Sequence, residues 1–169
     1  MNLDETLYKG DEISFGLKKT KFGDKPLMIY PEACGIIALD YVNKSANVYV
    51  VEQFRLGANS TSLEIPAGKK KPQETKEQCA HRELEEEAGL QTKNLELLIS
   101  YYPAIGISTE ILHIFLATDL TLGTVNPDED EEIEIKRVPL EKLIAMVENH
   151  EIKDSKTILS ILLLQRKLK

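Results

Sequence analysis

What most constrains this chain is a run of carboxylates in a place where a helix carries them least comfortably. Thr75 and Gln78 have the spacing of a capping box, Ala80, Leu84 and Ala88 recur every fourth residue, and Gly89 is the residue type that ends a helix in a left-handed conformation, with Leu90 closing the contact behind it. These signals predict a helix over 76–88 with a narrow apolar stripe turned toward a sheet. Its last turn and a half holds Glu83, Glu85, Glu86 and Glu87, where the macrodipole and mutual repulsion both disfavour anions. Each like-charge contact costs only about 0.2–0.5 kcal/mol. Several stacked together make the sort of local conflict expected at a functional site.

Spacing gives that conflict a purpose. Glu83, Glu86 and Glu87 stand at i, i+3 and i+4, so they share a face and can direct oxygens at one small, hard cation, for which Mg2+ is the natural candidate. Arg82 precedes Glu86 by four positions and can hold that carboxylate with a charge-assisted hydrogen bond, leaving Glu83 and Glu87 freer to coordinate. Upstream, Pro66 ends a strand, and Gly68 is expected to permit the backbone turn that brings carbonyls toward the metal. Cys79 lies one turn before Glu83 and should border the same face. Lys69-Lys70-Lys71 reads either as a solvated loop or as counter-charge for phosphate.

The 169 residues suffice for one domain with a real core, and no apolar run is long enough to span a bilayer. A net charge of −7 argues against a nucleic-acid surface. The acidic start lacks an apolar signal region, so cytoplasm is the expected location, and in that reducing compartment Cys34 and Cys79 are expected as buried thiols.

Along the chain, 12–19 and 27–30 read as an N-terminal hairpin or edge strands. Residues 34–41 and 47–54 read as two strands of a buried sheet, and 95–102 and 110–118 as two more, the last apolar on both faces and therefore central. The 103–109 loop carries the breaker residues of a substrate-binding connection. His113 reads as a core or sheet-face histidine, and His81 and His150 as surface residues. The acidic run 126–132 precedes a strand at 133–138. Pro139 opens a helix ending near His150, and Asp154 or Ser155 caps a final helix whose apolar residues cover more than one face. Strands interleaved with a few helices indicate an α/β (α+β) fold.

Gly68, Glu74, Arg82-Glu83-Leu84, Glu86-Glu87 and Gly89-Leu90 together resemble the signature of the Nudix hydrolases. That resemblance implies an α/β/α sandwich around a mixed sheet spanning 31–169, preceded by N-terminal strands in 1–30. It also implies a divalent metal, Mg2+ with Mn2+ as a substitute, and hydrolysis of a nucleoside diphosphate linked to another moiety. Gln53-Phe54-Arg55, the 63–68 segment, the 103–110 loop, the 128–132 run and the closing 151–157 segment are similar to the ADP-ribose and ADP-sugar pyrophosphatase branch. By position in that branch, Arg55, Glu64, Gly106 and Glu110 would meet substrate, and the Ala67 carbonyl, Glu83, Glu87 and Glu131 would serve the metal. Arg82 would support the catalytic carboxylates. The general base would come from Glu129 or Glu131, with Glu86 as the runner-up. The branch usually has proline where this chain has Ile105, and an Arg-Glu pair where it has Lys25-Pro26. Hydrolysis of another nucleotide, such as a GDP-sugar, a dinucleoside polyphosphate or a damaged nucleotide, and a non-catalytic nucleotide-sensing module stay open as alternatives. The expected partner is a small nucleotide, with no nucleic acid or membrane, in a homodimer sharing the N-terminal strands.

Overall fold

Strand β4 (Ala33–Val42) shows how the sheet is built. It is apolar throughout its first seven residues because helices cover it on both sides. Cys34, Ile36 and Ala38 pack in a cluster with Ala80, Leu84 and Ala88 of helix α1 (Lys76–Ala88). Ala33, Ile37 and Leu39 face the opposite way, into a cluster with Leu143 of α2 (Leu140–Glu148) and Ile161 and Leu164 of α3 (Ser155–Leu168). A strand's period of two thus supplies two cores, and the expected α/β/α sandwich follows. The computed structural model describes residues 2–124 and 133–169.

Around β4 lie β5 (Ser45–Arg55), β9 (Asn94–Tyr101), β10 (Leu112–Thr118) and β12 (Ile133–Pro139), in the order β12-β5-β4-β10-β9. The central β4 and β10 are parallel and the other neighbours on this path are antiparallel, so the sheet is mixed. Leu112 to Ala117 are all buried, as a strand covered on both faces requires. Two short strands complete this sheet. β6 (Ser60–Glu64) pairs with β5, and β7 (Ala67–Lys69) pairs with the start of β4. β8 (Leu90–Gln91) and β11 (Thr121–Leu122) form a separate two-stranded ladder.

The N-terminal strands β1 (Glu5–Lys9), β2 (Ser14–Lys18) and β3 (Lys25–Ile29) make an antiparallel sheet of their own. Its first strand was not anticipated. All five β1 residues are exposed and pair through backbone alone, so no apolar alternation announces them. The sheet joins the rest through backbone bonds from Met28 N to Ile107 O (2.7 Å) and Thr109 N to Met28 O (3.0 Å).

Helix α1 occupies the range predicted for it. Thr75 and Gln78 form the capping box, and Gly89 ends the helix at φ 62°. Asp154 caps α3, accepting from Thr157 N at 2.9 Å. The buried residues of α3, Thr157, Ser160, Ile161 and Leu164, form one stripe, narrower than the pattern suggested. Leu162 is left 43% exposed.

Candidate functional site

The carboxylate end of α1, strand β7, the end of β5, and the start of α3 surround a cleft of about 370 Å³ lined by charged residues of both signs. Arg82 organises the α1 wall. Its Nε and Nη2 grip Glu74 at 2.6 and 2.9 Å, Nη1 donates to both Glu83 and Glu86 at 2.7 Å, and Nη2 also reaches the Lys69 carbonyl at 3.0 Å. Repulsion among the glutamates is thereby offset by one planar cation whose fork suits several acceptors at once. The Arg82 hydrogen bonds hold the Glu74 carboxyl well down, at about 2. Arg82 in turn is pushed up, chiefly by its bond to Glu74.

Two features depart from expectation. Arg82 binds Glu83 as well as Glu86, so Glu83 is positioned by the guanidinium and not left apart from it. Gly68 sits inside β7 without a left-handed φ. Its importance is space, because a Cβ there would lie 2.1 Å from Glu83 Cδ. The missing side chain is the room that the Glu83 carboxylate occupies.

Glu83 and Glu87 are 7% and 4% exposed and both line the cleft. Glu87 Oε2 accepts from Ala67 N at 2.8 Å, fastening α1 to β7. Ala67 lines the cleft beside them. Glu86 accepts from Arg82 and is more exposed. Cys79 borders the site from beneath, its Sγ 3.7 Å from both the Gly68 carbonyl and Arg82 Nη2. Both cysteines are free and buried, and the Cys79 hydrogen bond together with burial pushes the Cys34 thiol up.

The opposite wall is a second charge cluster. Arg55 clasps Glu64 through Nε at 2.9 Å and Nη2 at 2.8 Å, and Lys156 pairs with the same carboxylate and with Asp154 at 3.1 Å. Glu64 is only 2% exposed. Burial alone would push its pKa up, but the hydrogen bonds and charges of Arg55 and Lys156 outweigh that and hold it at about 2. Arg55 and Lys156 both line the cleft. Glu110 lies there too, its carboxyl pushed up by burial against the pull of Lys156.

Gly106 is not brought to the cleft. It belongs to the exposed tip of the 102–111 loop, a tip held through the carbonyl of Ala104 and the backbone of Ile107 and Thr109. Glu129 and Glu131 lie outside the described residues. His113 is a buried sheet-face residue, within 2.7 Å of Ser100 Oγ, and His81 and His150 are at the surface. Lys156, Glu12 and Tyr30 line the cleft without having been expected there. The basic loop does turn two of its three lysines to the site, with Lys69 paired to Glu12 of the N-terminal sheet's β1–β2 connection. Nothing local in the sequence marks Glu12, and Lys156 is marked only as part of the 151–157 segment; they reach the cleft from the two ends of the chain.

The donor set fits a hard divalent cation of the magnesium type. Among the described residues no three His, Cys, Asp or Glu side chains enclose a metal by themselves. Mg2+ does not need such a cage, since it is held by one or two carboxylates and completes its shell with water and substrate phosphate. Two buried carboxylates facing an open, charged cleft, with space cleared at Gly68, are that arrangement.

Residues 30–160 match the family model described as NUDIX domain. The chain belongs to the Nudix family. Among curated relatives it is 37% identical over 153 residues to the ADP-ribose pyrophosphatase of Bacillus subtilis (strain 168), covering 89% of this chain and 81% of the relative. It is 33% identical over 140 residues to the GDP-mannose pyrophosphatase of Yersinia enterocolitica serotype O:8, covering 78% and 73%. A solved structure described as an ADP compounds hydrolase superposes with a TM-score of 0.78 over 99% of this chain and 96% of its own, at 20% identity, and so shares the fold. The carboxylate-rich helix, 76–88, lies within the matched residues.

Proposed function

We propose that this Nudix hydrolase cleaves the diphosphate bridge of nucleoside diphosphate sugars, ADP-ribose foremost, adding water to release AMP and ribose 5-phosphate. The observation that carries the reading is the pairing of two walls across one cleft: buried Glu83 and Glu87 on one side, Arg55 and Lys156 around Glu64 on the other. The first wall suits a divalent cation and the second suits the anionic and hydroxyl-bearing parts of a nucleotide sugar. Kinship with an ADP-ribose pyrophosphatase supports the substrate. The GDP-mannose pyrophosphatase relatives, and Ile105 where the branch usually has proline, favour a GDP-sugar as the second reading.

Glu83, Glu87 and the Ala67 carbonyl would hold Mg2+, with Mn2+ as substitute. When bound, the cation neutralises charge on the diphosphate and acidifies water in the cleft. The protein's own residues do the rest. Arg82 fixes Glu83 and Glu86 so that neither must reorganise when substrate arrives. Arg55 spends two of its five N–H groups on Glu64 and has others for phosphate. Proton removal from the attacking water falls to Glu129 or Glu131, with Glu86 as the alternative within α1. We place the protein in the cytoplasm as a homodimer. The N-terminal sheet supports that assembly, with β1 fully exposed and Leu7 and Tyr8 57% and 61% exposed, as do the uncovered apolar residues of α3. No helix among the described residues is long and apolar enough to cross a membrane.

Incubation with Mg2+ and a panel of ADP-ribose, ADP-glucose, GDP-mannose, diadenosine polyphosphates and nucleoside triphosphates, with products identified by chromatography, tests the reading. AMP and ribose 5-phosphate as the preferred products support it, and GMP from GDP-mannose as the preferred product moves it to the second reading. Glu87→Gln should abolish most turnover with little unfolding, since the amide oxygen can still accept from Ala67 N. Unchanged activity would remove Glu87 from the mechanism.

A further inference from the structure

Strand pairing breaks between β6 and β7, at Ile65 and Pro66. Pro66 has no N–H to satisfy, but Ile65 does, and the residue is fully buried. Its partner is a side chain 92 positions away: Ile65 N donates to Thr157 Oγ1 at 2.9 Å. That hydroxyl is fully buried and is fixed in turn, because it donates to Asp154 Oδ2 at 2.6 Å, the same oxygen that caps α3. The next two residues are tied as well. Pro66 O accepts from Ile36 N at 2.9 Å, and Ala67 N donates to Glu87 Oε2 at 2.8 Å.

Three consecutive residues thus join the cap of α3 to a carboxylate of α1. We propose that Thr157 is a positioning residue for Glu87, acting through Ile65 N and the 65–67 segment to set where the carboxylate meets the metal. The proposal rests on the reading of Glu87 as a metal carboxylate. A threonine suits the task because its hydroxyl donates to Asp154 while accepting from Ile65 N, and the whole side chain is buried. With the hydroxyl removed, Ile65 N loses its partner on α3, and Ala67 N is then set against Glu87 by the Pro66 carbonyl and the β7–β4 pairing without the brace from α3.

The test uses the full chain and reads Mn2+ binding by electron paramagnetic resonance without substrate, beside the Mg2+ dependence of kcat. Thr157→Val, nearly isosteric, is expected to weaken Mn2+ binding about tenfold and to raise the Mg2+ concentration needed for half-maximal kcat, while KM for nucleotide at saturating Mg2+ changes less than twofold. Thr157→Ser, which keeps the hydroxyl, should restore binding to within about twofold of the parent. A folded Thr157→Val protein with parental Mn2+ affinity overturns the proposal. Should the valine variant not fold, amide hydrogen exchange on the unaltered protein decides: Mg2+ is expected to slow the Ile65 and Ala67 amides together, and slowing at Ala67 alone overturns the relay. Failure of the unaltered protein to bind Mn2+ at all would instead defeat the metal assignment of Glu87, a different result from either.

Discussion

Gly68→Ala separates stability from catalysis in this site. The added Cβ would stand 2.1 Å from Glu83 Cδ and Oε1 and 2.3 Å from Oε2, whereas carbon atoms rest at about 3.5–4.0 Å. Something must therefore move by more than about 1 Å, and no backbone atom is among the three nearest. Since φ at Gly68 is not in the left-handed region, alanine meets no backbone strain. The carboxylate is the far end of a flexible side chain and can swing aside, so the fold should lose only the overpacking cost of about 1–3 kcal/mol. Catalysis has no such escape. Glu83 is held at 2.7 Å by Arg82, which also serves Glu86 and Glu74, so displacing one acceptor disturbs the cluster. A misplacement of about 1 Å commonly costs about 100-fold in rate. The expected result is a protein that melts cooperatively a few degrees lower while kcat/KM for ADP-ribose falls about 100-fold or more, measured by AMP release with Mg2+ saturating. Activity within about threefold of the parent would refute the reasoning, because Gly68 would then not be the space that Glu83 needs.

The charge clusters make two further predictions. Arg82→Lys replaces a fork by a point charge that cannot span Glu74, Glu83 and Glu86 together, so a stability loss of about 1–3 kcal/mol and a 10- to 100-fold lower kcat are expected in melting and turnover assays; an unaltered kcat would show that one contact suffices. Glu64, held at about 2 against an ordinary 4.5, contributes about 3 kcal/mol that is complete above pH about 4.5 and disappears as the pH falls to about 2. Urea midpoints across that range should therefore show Glu64→Gln costing stability near neutrality and little near pH 2, and an equal cost at both ends would exclude the linkage.

Much of this protein was legible in the chain because the signals were local. The capping box at Thr75, the fourfold spacing of Ala80, Leu84 and Ala88, and Gly89 as the stop are all decided within one helix, where neighbours three and four apart must meet whatever surrounds them. The doubly covered centre of the sheet was readable for a similar reason, since a strand apolar at consecutive positions has to be buried on both faces. Strand β1, exposed at every residue, and β7, only three residues long, offered no such pattern and exist through their partners.

The site itself was half legible. Glu83, Glu86 and Glu87 announce one face, but that Arg82 also grips Glu74 and Glu83, and that Gly68 yields its volume to a carboxylate, depend on how β7 lies against α1. Lys156 at Glu64, Thr157 at Ile65 and Glu12 at Lys69 are contacts across 92, 92 and 57 positions. Spacing along a chain determines which side chains share a helix face, because helical geometry is the same everywhere. Which distant side chains meet is decided only when the sheet and its helices close around a common core, since that closure sets the distances on which hydrogen bonds and ion pairs depend.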